Sequence, residues 1–167
     1  MPRDCFEAQP VSDRWVELSF FLDDPRKKRG GFLGWSTAPV MEQHVRDAMV
    51  DIVEPAGELL PGMCEDVGPI YFLNVLENLD CFDEDRAIED AGVKRWAFHP
   101  DRIGDCSLFK LSAFPFSPLF TYTGKLDPDK EFKNRYERLG LGGLKFQLVW
   151  SDEIEGGTEL PALTPMP

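Results

Sequence analysis

One stretch of the chain decides its fold, the decapeptide YFLNVLENLD at residues 71–80. Its first six residues are apolar on both faces of an extended chain, except for Asn74, and this predicts a central strand covered on both sides. Because a buried Asn needs hydrogen-bond partners, we expect Asn74 to hold a neighbouring turn. The acids that follow, continued by Asp83, Glu84 and Asp85, would reach solvent where the strand ends. A buried strand that presents a group of carboxylates suits a protein that binds another protein.

The size and composition of the chain favour one domain. A chain of 167 residues with 43% hydrophobic residues can bury one substantial core. We predict a single domain over residues 1–150. The segment 151–167 contains three prolines and two glycines among acids, so we predict a loosely ordered acidic tail there.

Two amphipathic helices are predicted from apolar residues at helical spacing. The first begins at Ser36 or Thr37, has Pro39 in its first turn, and ends at Pro55 and Gly57. The second is capped by Asp127, has Pro128 in its first position, carries Phe132, Tyr136 and Leu139 on one face, and ends near Arg138 and Gly140.

The strands predicted between and around these helices do not alternate regularly with helices. Residues 58–63, broken by Pro61 and Gly62, are predicted to be a short edge strand or an extended segment, because proline cannot donate to a central ladder. The acidic segment 77–90 is predicted to be a loop with a short helix over 84–90. Further strands are predicted at 15–22, 70–76, 93–98, 107–111, 119–123 and, as the closing strand, 144–150. This order predicts an α+β fold with a mainly antiparallel or mixed sheet and one early and one late helix.

The charge of the chain restricts its partners. Thirty acids against 18 bases give a net charge of −12, which argues against nucleic acid and against anionic membranes. A basic protein is the favoured charged partner. The basic run at 26–29 is isolated and flanked by turn residues, so we predict a solvated loop there.

The cysteines and the N-terminus indicate a cytoplasmic protein. Cys5, Cys64, Cys81 and Cys106 are too widely spaced for a Cys-x-x-Cys signature, and free thiols in a reducing compartment account for them. Residues 1–7 have no apolar run of a signal peptide, and no later run reaches the roughly 18 apolar residues of a membrane span.

Sequence motifs for catalysis, cofactors and metals are sparse. With only His44 and His99, a histidine metal cage or a Ser-His-Asp relay has little material, and no Gly-x-Ser-x-Gly elbow occurs. The glycines at 140–143 follow a predicted helix, which is the reverse of a phosphate-binding loop. The acids at 80–85 lack the pattern of a calcium loop. We therefore predict no catalytic residue, no cofactor and no metal.

Several short motifs together resemble one family. They are GELLP at 57–61, YFLNVL at 71–76 leading to Leu79, Asp80 and Asp83, SLFKL at 107–111, the pair at 119–120, and LGLGGLKF at 139–146. Their order over residues 57–150 resembles that of bacterial polymorphic-toxin immunity proteins of the MXAN type, a former domain of unknown function. The resemblance implies a non-enzymatic protein that binds and neutralises a toxin delivered between competing bacteria.

We therefore expect the acidic segment to face a basic cognate toxin. The predicted partner-binding residues are Glu77, Asp80, Asp83, Glu84, Asp85, Glu89 and Asp90. Two alternatives stay open: an adaptor or chaperone that binds an effector without inhibiting it, and a small acid-base hydrolase with paired carboxylates.

Overall fold

The computed structural model describes residues 7–24, 30–33, 38–89, 93–114, 118–151 and 159–165. They form an α+β domain with mixed sheets. Its helices are α1 (Gln43–Ala56) and α2 (Phe132–Arg138). Its strands are β1 (Leu18–Phe20), β2 (Phe32–Leu33), β3 (Val40–Glu42), β4 (Gly57–Cys64), β5 (Gly68–Val75), β6 (Asn78–Leu79), β7 (Ile88–Glu89), β8 (Val93–Arg95), β9 (Leu108–Leu111), β10 (Leu119–Thr121), β11 (Leu144–Ser151) and β12 (Glu159–Pro165).

The first sheet is built around β5, in the order β1-β4-β5-β3-β2. β4 and β5 pair antiparallel without a register shift, from Gly57 opposite Val75 to Cys64 opposite Gly68. Leu73 and Val75 pack with α1 in the largest core cluster, whereas Ile70 and Phe72 belong to a cluster on the other face. The predicted central strand, covered on both faces, is confirmed.

The predicted start of the first helix is wrong. α1 begins at Gln43, and Val40–Glu42 form β3, which pairs with β5. The buried Val40 and Met41 serve opposite faces of the sheet, which only an extended backbone allows. The predicted caps Ser36 and Thr37 lie outside the described residues. The predicted end is nearly right, because α1 runs through Pro55 and stops at Ala56.

The prediction of an edge strand around Pro61 is also wrong. β4 lies between β1 and β5, and β1 pairs with it in parallel, from Leu18 opposite Gly62 to Phe20 opposite Cys64. The pairing begins one residue after Pro61, so the missing N–H of the proline is not needed there. The Pro61 carbonyl accepts a hydrogen bond from the Trp15 indole Nε1, at 2.7 Å.

Asn74 ties the N-terminal segment to the first sheet, as predicted. Its side chain is fully buried, and Nδ2 donates to the Gln9 carbonyl and to Glu58 Oε2, both at 2.9 Å. The Glu58 carboxylate also accepts from the backbone N–H groups of Val11 and Ser12, at 2.9 and 3.2 Å. This Glu58–Asn74 clamp fixes the start of a 3-10 turn at Ser12–Arg14.

The second sheet has the order β11-β12-β10-β9-β6. The prediction of a loosely ordered tail is wrong for Glu159–Pro165, because β12 pairs antiparallel with both β11 and β10. Backbone hydrogen bonds make this strand, and they leave no mark in side-chain composition. Pro161 lies opposite Leu148, where the register shifts, and a bulge is a position that tolerates proline. The domain boundary at residue 150 stays a prediction.

The acidic segment contains no helix at 84–89. Residues 84–86 form a turn, and β7 then pairs antiparallel with β8. The predicted strand over 93–98 is correspondingly short, since β8 ends at Arg95 and Phe98 makes an isolated bridge to Phe82. Asp90 lies outside the described residues.

The second helix is divided in two. Asp127 caps a 3-10 helix at Pro128–Lys130, accepting from the Asp129 N–H at 3.0 Å, and α2 begins only at Phe132. The reason is Glu131, which is fully buried and whose Oε1 accepts from the Lys125 and Leu126 N–H groups, both at 3.0 Å. These bonds hold Glu131 extended between the two helices.

The two sheets meet at a pair of glycines. The Phe32 N–H donates to the Gly142 carbonyl at 3.2 Å, and the Gly142 N–H donates to the Gly30 carbonyl at 2.8 Å. Next to them Gly143 has φ +97°, and a Cβ there would lie 2.1 Å from the Phe32 carbonyl oxygen. This junction requires glycine for both space and conformation.

The Gly143→Ala substitution is expected to destabilise the domain by about 2 kcal/mol or more, because positive φ and a backbone clash add. Urea unfolding measures the change. Gly140→Ala is the matched control, since Gly140 has φ +64° with open space around its Cβ position. Equal losses in the two variants would contradict the close packing of the sheets at Gly143.

The Glu58–Asn74 clamp is expected to make stability fall in acid. Burial tends to raise the pKa of the Glu58 carboxyl, but hydrogen bonds from Ser12, Val11 and Asn74 hold that pKa below its usual 4.5. A lowered folded pKa means that the stabilisation is present above the usual pKa and is lost as pH falls through the folded value.

The Glu58→Gln variant is expected to have a free energy of unfolding at pH 7 that is lower by about 1 kcal/mol. The reason is that its NH₂ group would face an N–H donor that the carboxylate accepts from. The difference from the unaltered protein should shrink as pH falls below 4.5. Urea unfolding at several pH values checks this. A difference in stability that stays constant down to pH values well below 4.5 would show that the Glu58 charge does not support the clamp.

Candidate partner-binding surface

The acidic segment forms a short exposed turn on a buried base. After β6, the Asp80 side chain is 85% exposed, and Arg102 Nη1 lies 4.0 Å from its Oδ2. Cys81 and Phe82 then turn into the core, and Glu84 and Asp85 return to the surface. We call Asp80, Glu84 and Asp85 the acidic turn. Its two parts are joined by the buried residues 81–83.

Asp83 is placed differently from the prediction. It is only 4% exposed, so its carboxylate does not belong to the surface. Its Oδ1 accepts from the Arg86 N–H at 3.1 Å and its carbonyl accepts from the Ala87 N–H at 3.0 Å. His99 Nδ1 lies 3.8 Å from its Oδ2. Asp83 therefore shapes the turn, which is a usual role of Asp before a turn.

An aromatic cluster packs beneath the acidic turn. The Phe82 ring makes edge contacts with Phe114 and Trp96, at centroid distances of 4.9 and 5.9 Å. Trp96 also contacts Phe120 at 5.0 Å, and Phe98 contacts Trp150 at 5.8 Å. The backbone bonds from Asp83 N to Ala97 O and from His99 N to Cys81 O, at 2.9 and 2.8 Å, tie the same strands together. The acidic turn is thus a preorganised surface.

The remaining predicted residues are Glu77, Glu89 and Asp90, and the structure describes none of them as an exposed acid. Glu77 is half-buried, and its carbonyl accepts from the Lys110 N–H at 2.8 Å between β6 and β9. The backbone of Glu89 lies in β7, and Asp90 lies outside the described residues. Among the described side chains, three of the seven predicted residues, Asp80, Glu84 and Asp85, are exposed acids.

A cleft that the sequence analysis did not predict adjoins the acidic turn. Its volume is ≈ 310 Å³. Trp96, Val149 and Trp150 form its walls, and Arg86, Arg95 and Ser151 contribute polar groups. Residues 86, 95–97 and 149–151 meet there only through the fold, so no local motif marks the cleft.

Two of the cysteines are poor candidates for a nucleophile, and His44 lies at the surface. His44 lies 3.6 Å from Glu42 and is 63% exposed. Burial raises the pKa of the Cys81 thiol to about 12, and the Asp80 charge adds to this. Burial likewise raises the pKa of Cys106. Both thiols are therefore protonated at neutral pH and poor nucleophiles. Within the described ranges no group of three or more His, Cys, Asp or Glu is placed to hold a metal ion.

One buried cation was missed. Lys110, in the SLFKL stretch, is 4% exposed in β9. Burial lowers its pKa to about 8, and the Glu7 charge opposes the shift. A lysine usually extends its amine to solvent, so the sequence alone gave no reason to expect this burial.

Comparison of the chain with protein-family models, curated proteins and solved structures finds no match. Within the part of the chain that the structure describes, no helix combines the length and the apolar character needed to cross a membrane.

Asp83 and Glu84 are expected to differ in their effect on folding. Asp83→Ala removes the acceptor of the Arg86 N–H and should cost about 1–3 kcal/mol in the free energy of unfolding. Glu84→Ala, next to it on the exposed turn, should change stability by less than about 0.5 kcal/mol. Chemical denaturation of both variants measures this. A loss confined to Glu84→Ala would reverse the two roles.

Proposed function

We propose that this protein is an immunity protein that binds and neutralises a cognate toxin of interbacterial competition, without catalysis, through its acidic turn. The observation that carries the proposal is the preorganised group of exposed carboxylates, Asp80, Glu84 and Asp85, above a rigid aromatic base. The sequence resemblance over residues 57–150 supports the same function.

The charge of the chain supports a basic partner. A net charge of −12 raises the rate of encounter with a cationic protein, and the acidic turn provides a local anchor for it. If the toxin is a nuclease, the carboxylates would occupy the basic cleft that otherwise receives phosphates. A rigid turn loses little conformational entropy on binding, which favours affinity.

The proposed mechanism is occlusion in the cytoplasm of the producing cell. It requires a stable scaffold and a complementary surface, and it involves no chemical step in this protein. Tight inhibition would come from a slow dissociation rate, whereas the acidic turn would mainly set the association rate.

The first experiment is growth of a host that expresses the toxin domain encoded beside this gene, with and without this protein, followed by co-purification. Rescue with a stable complex is expected. Binding without rescue would favour the adaptor or chaperone. An absence of both binding and rescue would overturn the proposal and would favour a search for enzymatic activity.

The binding surface is tested by replacing Asp80, Glu84 and Asp85 together by Lys. The association rate is expected to fall by about tenfold at low salt and to depend less on salt, because local attraction is lost. Stopped-flow or biosensor kinetics measure both quantities.

The matched control replaces the exposed acids Asp13, Glu17 and Glu65 by Lys. It changes the net charge by the same amount, but at the N-terminal segment and the first sheet. An equal loss in both variants would show that overall charge, and not the acidic turn, attracts the partner.

A further inference from the structure

We infer that the cleft beside the acidic turn receives an acidic side chain of the bound toxin, an inference that rests on the proposed function. The acidic turn would then bind basic groups of the partner, and the cleft would bind one of its carboxylates.

The chemistry of the cleft carries this inference. Arg86 and Arg95 both line a cavity of ≈ 310 Å³, in a chain whose net charge is −12. Local positive charge in an acidic protein selects an anionic group, and guanidinium matches carboxylate geometry. The walls, Trp96, Val149 and Trp150, would enclose the apolar stem of an Asp or Glu side chain. Tryptophan and arginine are the residues that most often dominate binding energy at interfaces.

The arginines are held in place by the residues that build the turn. Arg95 Nη2 donates to the Arg86 carbonyl at 2.9 Å. Arg86 Nη1 lies 3.9 Å from Asp83 Oδ2, and its side chain is 64% exposed. Among the described contacts, Arg86 thus lies near one carboxylate, and the Arg95 guanidinium meets a backbone carbonyl. A partner carboxylate would add a charged acceptor for these two guanidinium groups.

The cleft is continuous with the acidic turn. Arg86 closes the turn at 84–86 and also lines the cleft. Trp96 packs against Phe82 under the turn and forms a wall of the cleft. A partner that covers the turn would therefore lie over the cleft as well, and the pair of opposite charges would fix its orientation.

The test adds a negative or a positive charge at the rim of the cleft and leaves both arginines unchanged. Ser151→Glu is expected to weaken binding of the toxin by about fivefold, and Ser151→Lys is expected to strengthen it, because each adds one charge at a partly exposed site. Ser19→Glu and Ser19→Lys, on β1 of the other sheet, are the matched controls and should change little. Biosensor kinetics measure the rates, and thermal unfolding checks that each variant folds.

A second variant keeps the inference testable if a Ser151 substitution fails to fold. Arg95→Gln removes the positive charge, keeps a polar amide on a shorter side chain, and should weaken binding by about fivefold or more. Changing each Asp and Glu of the toxin to its amide should then identify one carboxylate whose loss makes binding insensitive to Ser151→Glu, in a double-mutant cycle.

The outcomes separate the two proposals. Normal binding with no response to Ser151 or Arg95 substitution, or tighter binding by Ser151→Glu, overturns the inference and leaves the proposed function standing. Absence of binding by the unaltered protein overturns both.

Discussion

The antiparallel pairing of β4 with β5 is the interaction on which the other parts of the structure depend. Eight residues on each strand pair in one continuous register. Because side chains alternate between the faces of a sheet, this register sends Leu73 and Val75 toward α1, and Phe72 and Asn74 toward the N-terminal segment. A shift of one residue in this register would exchange the side chains that face α1 with those that face the N-terminal segment. The register also places Asn74 directly opposite Glu58, so it creates the clamp that fixes residues 9–12.

The largest core cluster joins the first sheet to the second. It includes residues from α1, α2 and both sheets, among them Val53, Leu73, Leu108 and Phe132. The glycine junction completes the connection where the backbones of residues 30–32 and 142 meet. The second sheet then supports the aromatic base of the acidic turn, so the proposed binding surface depends on a strand pair in the other sheet. Such a base limits the motion of the turn and lowers the cost of binding.

Neighbouring acids in this chain have different physical roles. Asp83 is buried and accepts hydrogen bonds that shape the turn, while Glu84 and Asp85 stay in solvent. The sequence predicted the acidic group and its place after a buried strand, but it treated all its members alike. Burial depends on how residues 81–83 meet residues 97–99, and that contact is not local. The cleft was missed for the same reason, because Arg86, Arg95 and Trp150 are distant in sequence.

The sequence by itself determined the α+β class, the central strand at 71–76, the fixing role of Asn74 and the end of the first helix. Each follows from local pattern: apolar periodicity, a lone amide in an apolar strand, and helix-breaking residues. Only the tertiary structure decided that residues 40–42 extend as a strand, that β4 is interior despite Pro61, that 159–165 form a paired strand, and that Asp83 is buried. These features depend on which backbone groups find partners across the sheets, and long-range hydrogen bonding and burial are not encoded in short windows of sequence.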